Sequence, residues 1–170
     1  MSLLQATIAY AVPAGAGALL AGAALHDIAL RTIPNAASIG LVVVGFAMRL
    51  QDGWIIPSLL AAAAVFVAAV FCWRRGWLGG GDVKLLAATT LVVPTLQVGS
   101  LLVLTAQCGG LLALTYLGLS RVVRVAPAGQ PRGALRRLLR AERWRICRGA
   151  PLPYGFAIAA GGITLLIKGP

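Results

Sequence analysis

Residues 54–73 read WIIPSLLAAAAVFVAAVFCW, a run that contains no charged side chain. About 20 apolar residues form a helix long enough to cross the hydrocarbon core of a bilayer. The rest of the chain has a similar character, since 59% of its residues are hydrophobic and its mean hydropathy is +0.89. The sequence therefore predicts an all-α polytopic membrane protein rather than a soluble domain.

Six apolar stretches are candidates for spanning helices, at residues 5–25, 33–50, 54–73, 83–98, 101–120 and 152–167. The fourth and the sixth are marginal in length for a span. Six transmembrane helices is the predicted count. The alternative is five, with the fourth and fifth stretches forming a re-entrant pair. Residues 1–170 are predicted to form a single transmembrane domain that includes a basic loop at 121–150.

Basic residues are distributed unevenly between the two sets of loops. One set holds thirteen of the fifteen Lys and Arg residues, and the other holds only Arg49 and Lys168. Cytoplasmic loops carry such an excess, so both termini are predicted outside and loops 26–34, 74–82 and 121–150 in the cytoplasm. The net charge of +11 is then explained by orientation and contact with anionic lipid, and no nucleic-acid partner is expected. An arginine-rich segment at 134–148 has an imperfect apolar face and is predicted to lie on lipid.

Asp27 and Asp82 are two of the four acidic residues, and each lies at the end of an apolar stretch. Ionisable residues at membrane depth are costly and indicate function. The charge distribution places both at the cytoplasmic face, where a carboxyl pair can supply a general acid and a general base. This chemistry needs no metal and no cofactor. The cysteines at 72, 108 and 147 are isolated and indicate no zinc site.

Three short segments are predicted to lie near the two aspartates at the cytoplasmic edge. Gly79-Gly80-Gly81 precedes Asp82, and an extended substrate could lie against it because glycines permit close backbone approach. The simpler interpretation is a flexible turn that caps a helix. Lys84 does not face Asp82 on a helix and is expected to reach lipid phosphates. Pro34 and Asn35 begin the second stretch, and Pro153-Tyr154-Gly155 begins the last.

The ends of the predicted helices suggest how one proton is shared. Asp82 opens the fourth stretch, where a helix N-terminus favours a carboxylate, and Asp27 lies near the end of the first, where the dipole disfavours one. Asp82 is therefore expected to be mainly the base and Asp27 mainly the acid.

These segments together resemble the type IV prepilin peptidase family, membrane aspartic enzymes of the Gly-x-Gly-Asp type. In that family the first catalytic aspartate precedes an Ile-Pro-Asn element, as Asp27 precedes residues 33–35. The second lies in Gly-x-Gly-Asp-x-Lys, as in residues 79–84, and a late Pro-Tyr-Gly matches residues 153–155. The resemblance implies catalytic roles for Asp27 and Asp82. It implies scaffold or substrate-binding roles for Gly79, Gly80, Gly81, Lys84, Pro34, Asn35, Pro153, Tyr154 and Gly155.

The resemblance also implies a substrate and a location. Long members carry a cytoplasmic insert with paired Cys-x-x-Cys motifs and also methylate the new N-terminus. No such insert occurs here, so the chain resembles the short form of Flp or tight-adherence pilus systems, and N-methylation is not expected. The implied partners are Flp or type IV prepilins and pseudopilins, cut after a glycine that ends a short basic leader. The implied location is the bacterial inner membrane, with the active site at its cytoplasmic face.

Three alternatives stay open at this point, and oligomeric state is undetermined. Presenilin-like and signal-peptide-peptidase-like enzymes share Gly-x-Gly-Asp, but their Tyr-Asp and Pro-Ala-Leu elements are absent. A small multi-pass transporter would use its carboxylates to bind a cation or proton near mid-bilayer. A non-catalytic assembly factor of a pilus or secretion system would need neither aspartate.

Overall fold

The computed structural model describes residues 3–122, 140, 143–147 and 152–169, and it contains no strand in these residues. The prediction of an all-α protein is confirmed. The helices are α1 (Leu3–Leu30), α2 (Asn35–Asp52), α3 (Ile55–Arg74), α4 (Gly80–Val92), α5 (Val98–Val122) and α6 (Tyr154–Lys168), with a 3₁₀ helix at Thr95–Gln97.

The chain divides into two compact units, Met1–Cys108 with Pro153–Pro170, and Gly109–Leu152. The first unit contains both aspartates and all the contacts described below. Most of the basic loop predicted at 121–150, including much of the amphipathic segment 134–148, lies outside the described residues. The single-domain prediction and the role of this loop therefore stay predictions.

Three helical segments are long and apolar enough to cross a membrane within the described part of the chain: Ala11–Leu30, Ile55–Arg74 and Thr95–Val122. They agree with the first, third and fifth stretches expected from the sequence. The last helix, α6, is apolar but has only 15 residues. The chain is thus a helical membrane protein, and the six-span count with both termini outside stays a prediction.

The fourth apolar stretch, expected at 83–98, does not form one helix. Helix α4 ends at Val92, and Val93 is extended with ψ of 142°. Pro94 explains this end, because a proline disfavours helical geometry in the residue before it. With 13 residues, α4 is about 20 Å long and too short for a full span. Nine of its residues are buried, so α4 is a short central helix surrounded by longer ones.

Small residues allow the other helices to approach α4 closely. A Cβ placed on Gly45 of α2 would lie 2.8 Å from the Cβ of Leu91. A Cβ on Gly162 of α6 would lie 2.8 Å from the Thr89 methyl group. Neither site has room for a side chain, and such close backbone approach is typical of helix packing in membranes.

Arg49 holds the far end of α4 in place. It is only 6% exposed, and its guanidinium donates to the carbonyls of Leu91 and Val92, each at 3.2 Å, and to Asp52 at 2.6 Å. The carbonyls at a helix C-terminus lack partners within the helix, and a cation there also complements the dipole. The positive-inside count placed Arg49 in a loop, whereas it is buried in the last turn of α2.

The start of α4, the start of α2 and the end of α3 lie close together. The start of α4 lies beside the start of α2, since Lys84 Nζ donates to Asn35 Oδ1 at 3.1 Å. It also lies beside the end of α3, since a Cβ on Gly80 would be 3.5 Å from the Trp73 indole nitrogen. The two predicted cytoplasmic segments in this unit, 26–34 and 74–82, therefore meet at one end of the bundle.

Candidate active site

Asp82 occupies the third position of α4 and is 9% exposed. Its Oδ2 accepts a hydrogen bond of 3.1 Å from the backbone N–H of Gly79, the residue that caps the helix. A Cβ on Gly79 would lie 2.8 Å from that oxygen, so a larger residue would displace the carboxylate. Position 79 thus needs a glycine to leave room for the Asp82 carboxylate, in addition to any need of the turn.

Asp27 lies in the last turn of α1 and is 6% exposed. Its Oδ2 accepts a hydrogen bond of 2.9 Å from the backbone N–H of Gly155. Gly155 is in the first turn of α6, which follows the buried Pro153 and begins at Tyr154. The first N–H groups of a helix have no partner within it and bind anions readily. The Pro-Tyr-Gly segment therefore supplies the donor that holds Asp27.

Ile33 joins the two aspartate-bearing segments. A Cβ on Gly81 would lie 3.1 Å from the Ile33 Cβ, and a Cβ on Gly155 would lie 3.0 Å from its Cδ1. The isoleucine side chain therefore packs against the residue before Asp82 and against the donor to Asp27. Sequence reasoning recognised Ile33 only as the start of an Ile-Pro-Asn element, because nothing local shows which distant glycines it contacts.

The two carboxyl groups interact electrostatically. Asp82 is at the start of α4, which is not one of the three candidate spans. Burial, and secondarily the negative charge of Asp27, raises the pKa of Asp82 to about 6, while the hydrogen bond from Gly79 acts in the opposite direction. Such a pair holds one proton readily, which is the state that acid–base catalysis by two carboxyls requires.

The helix-end argument for unequal aspartates is weaker in the structure than in the sequence. Helix α1 ends at Leu30, so its dipole does disfavour a charge on Asp27. However, α6 presents its own N-terminus to the same carboxylate through Gly155. Each aspartate thus accepts one N–H from the start of a helix, and the expected bias is largely offset.

Lys84 and Asn35 lie beside the pair and bond to each other. The lysine points to α2 and not to Asp82, as the helical spacing predicts, and its partner is a protein oxygen where a lipid phosphate was expected. Pro34 precedes α2 in extended geometry, with φ of −66° and ψ of 134°. His26 has a separate structural contact, since its Nδ1 N–H donates to the Thr32 carbonyl at 2.6 Å.

The structure brings most of the residues predicted for the site to one end of the bundle. Gly79 and Gly155 contact the carboxylates, and Gly81 packs on Ile33. Gly80 faces Trp73 of α3 and not the aspartates. In the part of the chain that is described, no group of three or more His, Cys, Asp or Glu side chains could hold a metal ion.

Comparison with known proteins identifies a family. The model of the type IV leader peptidase family matches residues 15–114, more than half of the chain and a range that includes both aspartates. No curated protein and no solved structure gives a match. The match does not extend to the Pro-Tyr-Gly segment, which the fold itself brings to Asp27. The chain belongs to the type IV leader peptidase family.

Proposed function

We propose that this protein is a membrane aspartic endopeptidase that removes the short basic leader of Flp or type IV prepilins and pseudopilins, cutting after a glycine. The observation that carries the proposal is the pair Asp27 and Asp82, both buried, electrostatically coupled and each held by a backbone N–H at the start of a helix. Family membership supports peptidase activity of the aspartic type and a prepilin-like substrate.

The reaction is hydrolysis by one water molecule held between the carboxyls. The ionised aspartate takes a proton from the water as its oxygen attacks the carbonyl carbon of the scissile bond. The protonated aspartate gives its proton to the leaving amine nitrogen as the C–N bond breaks. The pair ends with the single proton with which it began. The helix ends predicted Asp82 as the base and Asp27 as the acid, but α6 largely offsets that bias. Because the negative charge of Asp27 contributes to the raised pKa of Asp82, we assign the proton to Asp82 as the acid and the role of base to Asp27.

The glycine run leaves room for neighbouring side chains of the site. Gly79 leaves room for the Asp82 carboxylate and Gly81 leaves room for Ile33. The exposed backbone at 79–80 is the part that an extended substrate can approach, as proposed from the sequence. Lys84, Asn35 and Pro34 act as a scaffold that fixes α2 against α4 beside the pair.

The proposed location is the bacterial inner membrane with the site at the cytoplasmic face. The uneven distribution of Lys and Arg supports this orientation. Asp27 lies three residues before the end of a candidate span, and Asp82 precedes the apolar part of α4. A transporter would place its carboxylates near mid-bilayer, so the position of the pair favours the peptidase over that alternative. A short form without a Cys-x-x-Cys insert is not expected to methylate its product.

The decisive experiment incubates the purified protein in detergent with a prepilin and follows the loss of the leader on a gel. Asp27→Asn and Asp82→Asn are expected to fold and to leave the prepilin uncut. Asp52→Asn is the matched control, since Asp52 lies at the far end of the bundle, where it pairs with Arg49. It should cleave normally. Cleavage near the wild-type rate by either of the first two variants would refute the proposal.

A further inference from the structure

Arg31 has an unusual backbone conformation for an arginine. It follows the last residue of α1 and lies in the left-handed region, with φ of 57°. Among the described residues of the chain, every other residue with a positive φ is a glycine, at positions 53, 76 and 169. Residues with a side chain disfavour this region, because their Cβ approaches a carbonyl oxygen. The sequence therefore keeps a long side chain at a position where the backbone favours glycine.

The turn that contains Arg31 is held by the residues around Asp27. The backbone N–H of Arg31 donates to the Asp27 carbonyl at 2.8 Å, which is the hydrogen bond of a left-handed helix cap. One residue further on, the Thr32 carbonyl accepts a bond of 2.6 Å from the His26 ring. The last turn of α1 thus fixes where the Arg31 side chain leaves the backbone.

The charge of Arg31 acts on the side chain of Asp27. The guanidinium attracts the Asp27 carboxylate. Arg31 is partly buried, and its Nε atom is shielded from solvent, so this attraction is screened less than one between exposed charges. Asp27 is only 6% exposed, and an ionised carboxyl is costly at such a site unless a cation is near. Arg31 therefore reduces the cost of ionising Asp27.

The other groups that face Asp27 in the described part of the chain do not supply a permanent positive charge. From α4, the negative charge of Asp82 repels a second one on Asp27. From α6, Gly155 contributes a backbone N–H. From α1, His26 attracts the carboxylate only while its ring is protonated. An arginine stays charged at every pH at which a peptidase works.

We propose that Arg31 is a positioning residue, whose guanidinium keeps Asp27 ionised so that it can act as the base. The proposal rests on the proposed function, in which Asp27 takes a proton from the attacking water. Without this cation, the single proton of the pair would lie on Asp27 more often. The unfavourable φ of Arg31 is then explained, since a glycine would relieve the backbone strain but would bring no charge to the pair.

Three substitutions separate the charge from the backbone conformation. Arg31→Gln removes the charge, Arg31→Gly removes both the charge and the strain, and Arg31→Lys keeps the charge. The measurement is kcat and KM for prepilin between pH 3.5 and 8. In Arg31→Gln and Arg31→Gly, the acid limb of the kcat profile should move to higher pH by about one unit, which is about a tenfold loss of rate on that limb. KM should change little, and Arg31→Lys should keep the wild-type profile.

Arg74→Gln is the matched control. Arg74 is an exposed arginine at the end of α3, at the same end of the bundle, and its replacement removes the same charge from the predicted cytoplasmic side. Its pH profile should equal that of the wild type. Thermal unfolding in detergent shows whether the variants fold, and Arg31→Gly should unfold no earlier than the wild type, because glycine suits a positive φ.

Two results would overturn the inference. One is a wild-type pH profile in Arg31→Gln. The other is an equal loss of activity in all three Arg31 variants together with earlier unfolding, which would give Arg31 a structural role only. Failure of the proposed function itself would differ, because the wild-type protein would then leave prepilin uncut at every pH.

Discussion

The backbone N–H of Gly155 donates a hydrogen bond of 2.9 Å to the carboxylate of Asp27, although 128 residues separate the two. This contact joins the first turn of α6 to the last turn of α1. It connects a segment that the family match does not cover to an aspartate that it does. The role of the Pro-Tyr-Gly segment is therefore to hold one member of the carboxyl pair.

Replacement of Gly155 by alanine should disable the site. The added Cβ would lie 2.9 Å from Asp27 Oδ2 and 3.0 Å from Ile33 Cδ1, so the carboxylate must move. A displacement of about 1 Å can cost about a hundredfold in rate, and a loss of this order in kcat is expected. Gly22→Ala, in α1 with open space around it, is the control and should cleave prepilin normally. Equal activity of the two variants would contradict the role of Gly155.

Cleavage should decline as the pH rises above about 6. The pair needs one protonated carboxyl, and Asp82, whose pKa is raised to about 6 by burial and by the negative charge of Asp27, loses its proton through that pH. The measurement is kcat/KM for prepilin between pH 4.5 and 8. Because the two carboxyls titrate as a coupled pair, the apparent pKa belongs to the pair. Asp52→Asn should show the same profile. A rate that stays constant up to pH 8 would exclude Asp82 as the proton donor.

Asp82→Asn should stabilise the fold at neutral and alkaline pH. The pKa of Asp82 is raised from 3.8 to about 6, so the folded state favours the protonated carboxyl. The stability that this contributes is present below pH 3.8 and is lost as the pH rises through about 6, up to about 3 kcal/mol. Asparagine carries no charge and can still accept the hydrogen bond from Gly79.

Thermal unfolding in detergent at pH 5 and pH 7.5 measures this effect. The wild-type protein should lose stability between the two values, and Asp82→Asn should lose less. Asp52→Asn is expected to behave like the wild type. The wild-type protein could instead gain stability over the same range, with no such gain in Asp82→Asn. That result would show that the folded state favours the ionised Asp82 carboxylate, and the prediction would be wrong.

Arg49→Met should destabilise the protein without changing its chemistry. The substitution leaves the Leu91 and Val92 carbonyls without their donors, at a cost of about 2–4 kcal/mol. The midpoint of thermal unfolding should fall, and prepilin cleavage at low temperature should persist. Lys168→Met, which removes an exposed cation at the same end, is the control and should unfold like the wild type. An unchanged midpoint in Arg49→Met would show that the end of α4 does not depend on these bonds.

Orientation is tested by labelling single cysteines in cells. On a background in which the cysteines at 72, 108 and 147 are replaced, Gln51→Cys and Lys168→Cys should react with a membrane-impermeant thiol reagent from outside. Gln130→Cys should react only after the membrane is opened. The expectation follows from the thirteen-to-two division of basic residues. The opposite pattern would place the aspartates outside.

Local patterns in the sequence predicted much of this fold, and long-range contacts account for the remainder. Apolar runs predicted α1, α3 and α5, because membrane helices need continuous apolar sequence. The early end of α4 was not predicted, because proline is tolerated in membrane helices and the fourth stretch was expected to continue through Pro94 to residue 98. The burial of Arg49 was not predicted either, because an arginine at the end of an apolar run is normally expected at the membrane surface.

In the candidate site, too, local patterns predicted some features and long-range contacts determine the others. The two aspartates and their glycines are conspicuous because charges and glycine runs are rare in apolar sequence. Which glycine serves which aspartate depends on helix directions that no local pattern states. The sequence therefore indicated Gly79 as a turn and Gly155 as part of a motif. Their contacts with the carboxylates appeared only in the structure.

The burial of α4 has a consequence for membranes of different thickness. Spanning helices tilt, or deform the bilayer around them, when their apolar length does not match it. Most of α4 contacts protein and not lipid, and its two ends are held by Asp82 and by Arg49. A thinner or thicker bilayer therefore acts on α1 and α3 directly and on α4 only through them. The depth of Asp82 in the protein is set by packing, so we expect it to change little between bilayers of different thickness.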